Sequence, residues 1–220
     1  MKRLLIGMCS VLFLVSGSVY AQVDPEQIEV YGYSYFTPPE GVGTVTTVVA
    51  KLEPPVGFVY PFSVDFGTYE YTFYMQAMIT GIMPDIFETA ITYADAEFYI
   101  YEDPAMNGNY GTNPPNGTSP STFQDGTLAL QGTMTNIQRT DYFMGLPEPT
   151  LYAEAVFTGG SKLGELLQGA NWTMHGGIST DPLLDIPTGY QQHWTMKIFF
   201  TGPVQTENTT WGNIKAQYER

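Results

Sequence analysis

Tyr69-Glu70-Tyr71-Thr72-Phe73-Tyr74-Met75-Gln76-Ala77-Met78-Ile79-Thr80 is the stretch on which the fold turns. Tyr69, Tyr71, Phe73, Met75, Ala77 and Ile79 fall on one side of an extended chain. Glu70, Thr72, Tyr74, Gln76, Met78 and Thr80 fall on the other. A repeat of two residues belongs to a strand with one buried face, because a helix repeats near 3.6. The more apolar set is assigned to the core. Losing Phe73 should therefore cost much more than changing Thr72 on the opposite face.

Outward from this strand the same chemistry recurs. Ile28–Phe36, Thr44–Leu52, Thr89–Tyr101, Thr127–Asn136, Leu151–Thr158, Asn171–Ser179 and Tyr190–Thr201 are rich in Thr, Val, Ile, Tyr and Phe, with Gly, Pro, Asn and Asp between them. Only Ser161–Gln168 suggests a helix, of two turns at most, with Leu163, Leu166 and Leu167 on one side. The fold expected is all-β: one antiparallel β-sandwich or β-barrel of about eight strands with one short helix. Aromatic residues make up 15% of the chain, enough large side chains to fill such a core.

The N-terminus reads as an export signal. Lys2 and Arg3 precede an apolar run from Leu4 to Val15, and Val19-Tyr20-Ala21 places small residues before a cleavage at Gln22. The run is too short for a membrane span, which needs about 20 residues. Residues 1–21 are thus a signal peptide and 22–220 a single domain, its tail polar from about Pro203. The compartment expected is periplasmic or extracellular. The only cysteine, Cys9, lies in the leader, so the mature chain has neither a disulfide nor a thiol nucleophile.

Charge excludes some partners. After the leader six Lys and Arg face 22 Asp and Glu, a net charge of −16. Nucleic acid is excluded as a partner, since its binding requires clustered cations. No transmembrane helix is expected in the mature chain, and the partner classes considered are carbohydrate and another surface protein.

Two groups of residues are candidate sites. The long segment between Tyr101 and Thr127 carries Glu102, Asp103, Asn107, Asn109 and Asp125, hard oxygen donors of the kind calcium takes, although they lack the spacing of a calcium-binding hand. Ordinary turn chemistry favours the same residue types. The three tryptophans, Trp172, Trp194 and Trp211, fall near the C-terminus and would suit stacking on a sugar if exposed. Buried in the sheet, they would leave His175 and His193 facing solvent, because alternation puts each histidine opposite its neighbouring tryptophan.

Catalytic signatures are absent: His175 and His193 lack a zinc spacing, and neither a G-x-S-x-G elbow nor a phosphate-cradling glycine loop is present. Glu154 and Asp185 are candidate acids for glycoside hydrolysis only if the fold brings them together. Phe157-Thr158-Gly159-Gly160-Ser161, followed by Gly169-Ala170, resembles the glycine-glycine turn of small barrels of the dirigent and allene oxide cyclase type. The resemblance covers about a dozen residues and implies a barrel. A leucine-rich insertion departs from that pattern, and no catalytic residue carries over. The expectation is an exported, acidic, non-enzymatic β-protein that binds a ligand or forms part of a surface or matrix. The alternatives are a secreted carbohydrate-active enzyme or sugar-binding module, and a small outer-membrane barrel.

Overall fold

The structure is a computed structural model, and it describes residues 25–111, 121–142, 149–167, 169–181 and 184–200. The expected signal peptide, Trp211 and the expected polar tail from about Pro203 lie outside these residues. Nine strands follow in chain order: β1 (Gln27–Tyr35), β2 (Val45–Leu52), β3 (Glu70–Pro84), β4 (Glu88–Tyr93), β5 (Ala96–Asp103), β6 (Thr127–Tyr142), β7 (Thr150–Gly159), β8 (Trp172–Ser179) and β9 (Gln192–Phe200). Each of the eight expected strand segments is present, with ends shifted by a few residues.

Every strand pairs antiparallel with its neighbours, and β1 closes on β9 from Gln27↔Phe199 to Ser34↔Gln192. The sheet is a closed eight-stranded barrel with one extra strand, β4. The expected Thr89–Tyr101 strand is broken at Ala94-Asp95 into β4 and β5, which lie end to end between β3 and β6. Ala94 N–H donates to the Met78 carbonyl at 2.8 Å and keeps the join in register. Closure removes the free edges that would otherwise template aggregation.

The core is the barrel interior. Tyr71, Phe73, Met75, Ala77 and Ile79 are all buried, as the period-two reading requires. Side chains from every stave fill the interior, among them Val30, Ala50, Phe98, Leu130, Ala153, Met174 and Met196. Glycine enables the tight curvature. A Cβ on Gly32 would stand 2.2 Å from the Val49 carbonyl, and one on Gly176 would stand 2.2 Å from that of Thr195. Both positions face inward, where the backbone of the neighbouring strand leaves no room for a side chain.

Strand β6 runs well past its expected end at Asn136. Asn136 takes a left-handed φ of 52°, and the register with β7 shifts between Thr135 and Gln138. The extra residue is a β-bulge. It reverses the phase of the strand: Leu130 and Met134 face inward before it, Ile137 and Arg139 after it. The expected helix at Ser161–Gln168 is one 3-10 turn, Leu163–Glu165, and Leu166 returns to extended backbone with ψ 153°. Leu166 is buried against the barrel core and Leu167 stays half exposed.

The two barrel ends are closed differently. Residues 53–69 plug one end with rings: Phe58, Phe62 and Phe66 each pack on Tyr60, and Phe66 meets Tyr71 at 5.1 Å. At the other end Arg139 lies inside the wall, 2% exposed. It donates to both oxygens of Glu40 at 2.6 and 2.9 Å, to Asp141 Oδ2 at 2.8 Å and to the Tyr93 hydroxyl at 3.2 Å. Glu40 belongs to the β1–β2 connection, which this clamp ties across the opening.

Candidate functional site

Outward-facing residues of β3 and β5 form a groove on the barrel wall. The pairing Tyr74↔Tyr99 sets two tyrosines side by side, and alternation along β5 adds Glu97 and Tyr101 on the same face. The break before Ala96 brings Asp95 to the rim, Gln76 extends the β3 side, and Gln124 of the β5–β6 connection forms the far wall. The groove encloses about 570 Å³. The Tyr99 and Tyr101 rings are near-parallel, 6.2 Å apart, and Tyr74 lies 6.5 Å from Tyr99 at 41°.

The phenols are held in their protonated form. Burial, then the neighbouring tyrosines, pushes Tyr74 up to about 12. Tyr99 is pushed up to about 12 chiefly by its hydrogen bond to the Glu97 carboxylate, with burial second. Burial also raises Tyr101. Each hydroxyl therefore stays a donor through the neutral range, and each of the three side chains is partly exposed. Such a surface can stack on a flat apolar face and exchange hydrogen bonds with hydroxyls around its edge.

The groove is continuous with a second aromatic cluster on the outside of the barrel. The β5–β6 connection folds back over β1, β2 and β3, bringing Tyr110 and Phe123 against Val49 and Tyr33, while Tyr190 arrives from the β8–β9 connection. The Tyr33 and Tyr110 rings meet edge to face at 4.7 Å. The Tyr190 hydroxyl donates to the Tyr110 carbonyl at 2.8 Å, and Tyr110 donates to that of Tyr31 at 3.1 Å. Thr72 faces outward but is covered: it is 1% exposed and donates to the Phe123 carbonyl at 3.1 Å. Its burial argues against the tolerance to change expected of an outward residue, because the outer face at this point is a second buried layer.

The expected calcium donors serve other partners. Asp103 is buried, and its two oxygens accept from the Ala105 and Asn107 amides at 2.8 and 3.3 Å, a turn-capping arrangement. Glu102 accepts from the Tyr71 hydroxyl at 2.8 Å. The Asn107 side-chain amide donates to Asp125 at 3.1 Å, and Asn109 Oδ1 accepts from the Gly111 amide at 2.9 Å. Among the described residues no group of three or more His, Cys, Asp or Glu is placed to hold a metal ion.

The tryptophans lie elsewhere too. Trp172 and Trp194 are buried inside the barrel, at 3% and 1% exposure. Trp194 Nε1 donates to Ser34 Oγ at 2.8 Å, which in turn donates to Gln192 at 2.9 Å. Neither ring offers a stacking face to a ligand, and His175 faces solvent as alternation predicts. Glu154 lies on the outer face of β7 and Asp185 on the β8–β9 connection near Tyr33, so they share no groove. The partly exposed rings of the groove that sequence reading overlooked are tyrosines. Their signal was the outward set of β5, Glu97-x-Tyr99-x-Tyr101, aromatic where a solvated face is normally polar.

The tip of the β3–β4 hairpin leaves Ile86 and Phe87 exposed, and its Asp85 carboxylate accepts from the Ile86 amide at 2.7 Å. Comparison of the chain with family models, with curated proteins and with solved structures returns no match. A packed antiparallel barrel with a tyrosine-lined groove on its outer wall is the class of protein that fold and site define.

Proposed function

We propose that the chain is an exported, non-catalytic carbohydrate-binding protein, a surface or matrix component whose ligand lies in the groove of Tyr74, Tyr99 and Tyr101. The observation that carries this reading is the set of three partly exposed rings flanked by the amides of Gln76 and Gln124 and the carboxylates of Asp95 and Glu97. Sugars present apolar faces ringed by hydroxyls, and this surface matches both features. The filled interior supports external binding, since it leaves the barrel wall as the place for a ligand.

Asp95 and Glu97 favour one second reading, a glycoside hydrolase, because they bring two carboxylates to the groove. Both side chains are exposed, however, whereas the acid of such a pair is sheltered from water. The outer-membrane alternative has less support still. Its barrels turn an apolar band outward, and here the outward residues include Gln76, Glu97, Glu154 and Lys197.

Affinity electrophoresis of the mature protein through polysaccharide gels tests the proposal. Retardation by at least one polysaccharide is expected, and Tyr99→Ala and Tyr101→Ala should each abolish it without altering the near-ultraviolet circular dichroism attributable to the core. Release of reducing sugar on incubation would replace the binding reading with the hydrolytic one.

A further inference from the structure

We infer that the groove selects a neutral, extended polysaccharide chain and rejects acidic ones, an inference that rests on the carbohydrate reading above. The groove is lined by phenols, amides and two carboxylates, with no cation among its residues. The cations of the described barrel are committed elsewhere. Lys51 pairs with Glu70, Arg139 is buried with Glu40 and Asp141, Lys162 lies at 3.9 Å from Glu102 and 3.8 Å from Glu165, and Lys197 is 2.6 Å from Glu29. A uronate or sulfate group entering the groove would meet Asp95 and Glu97 with nothing to neutralise it. The net charge of −14 for the whole chain repels such a polymer before contact. The same carboxylates are good acceptors for the hydroxyls of a neutral sugar.

Extension follows from the strand. Tyr99 and Tyr101 are successive outward residues of β5, and their near-parallel rings lie 6.2 Å apart. A chain running along β5 stacks a sugar on each ring while Tyr74 and Gln76 border it on the β3 side. A single sugar reaches only one ring. Binding should therefore strengthen steeply with chain length until both positions are filled.

The experiment uses the mature protein in EDTA, so that no calcium bridge can link carboxylates to an acidic glycan. Titration calorimetry compares the neutral hexasaccharides of glucose, mannose, xylose and galactose with their monosaccharides, and with alginate and polygalacturonate at the same ionic strength. At least one neutral hexasaccharide should bind ten-fold or more tightly than its monosaccharide, neither acidic polymer should bind, and Tyr99→Ala should weaken the neutral chain at least ten-fold. In the conservative Asp95→Asn, Glu97→Gln variant the acidic polymers should gain affinity relative to the neutral chain. Acidic polymers binding the native groove as tightly as neutral ones, with Tyr99→Ala abolishing both, overturns neutral selection and leaves the carbohydrate site standing. Monosaccharide binding equal to hexasaccharide binding overturns extension. No binding to any sugar, or binding indifferent to Tyr99→Ala, overturns the carbohydrate reading itself.

Discussion

Arg139 is a cation inside an apolar barrel, and its surroundings explain how it is tolerated. Burial alone would pull the guanidinium down, but the hydrogen bonds to Glu40 and Asp141 and the adjacent Tyr93 outweigh it and hold the group above its ordinary value. It stays charged, and the bidentate geometry with Glu40 suits its planar fork. Its Nε and Asp141 Oδ1 are buried without partners among the described residues, so the cluster is not fully satisfied. The two sides of the pair differ in access to water: Arg139 is 2% exposed, Glu40 22% and Asp141 34%. Removing Glu40 takes away the bidentate partner and leaves the buried guanidinium only Asp141 and the Tyr93 hydroxyl, whereas removing Arg139 leaves carboxylates that are partly open to water. Glu40→Ala should destabilise by about 3 kcal/mol, within the range for breaking a buried pair, and Arg139→Met by less. Urea midpoints of the two variants check the order. Sequence reading missed this residue because its inward phase depends on the bulge at Asn136, and alternation counted from Thr127 mis-phases it.

At the scale of elements, the β5–β6 connection is the piece whose role the sequence marked without explaining. Its length and its Asn, Gly and Pro content identified it as unusual, and its oxygen donors suggested an ion. Its anchors are instead Tyr110 and Phe123, apolar side chains that match no local pattern because they pack on strands distant in sequence. Phe123 is 1% exposed and touches the Tyr110 ring at 5.0 Å, so Phe123→Ala should cost about 3–5 kcal/mol, as in a main core. The same substitution should lower affinity for the groove ligand, because Gln124 follows it directly. Thermal melting and sugar titration on one preparation measure both effects. The strands, by contrast, were readable almost residue by residue, since alternation, β-branched content and glycine or proline boundaries are local signals. The exceptions were the break at Ala94-Asp95 and the run of β6 beyond Asn136. Both come from fitting strands to a curved wall, a constraint that appears only once the sheet closes.

For the whole molecule, closure decided between the sandwich and the barrel, and it depends on β1 meeting β9, a pairing across nearly the full chain that no local pattern announces. The closed wall places rings on both sides: Tyr71 and Tyr93 inside, Tyr74, Tyr99, Tyr110 and Tyr190 outside, and Tyr60 in the plug. Burial raises nearly all of them, and Tyr71, Tyr93 and Tyr190 are pushed up to about 12, as Tyr74 and Tyr99 are. In the unfolded chain a tyrosine ionises near 10. Between about pH 10 and 12 the unfolded state has released protons that the folded state still holds, so each step upward in pH favours unfolding. The stabilisation from keeping these phenols protonated is complete below pH 10 and is lost as the pH rises through the folded values. Denaturant midpoints should accordingly change little between pH 7 and 9 on account of tyrosine and fall steeply above 10. Tyrosinate absorbance should appear together with loss of the near-ultraviolet circular dichroism. Tyrosinate appearing in full near pH 10 while that signal persists would mean that the rings are open to water, and the two-layered burial described for this barrel would then be wrong.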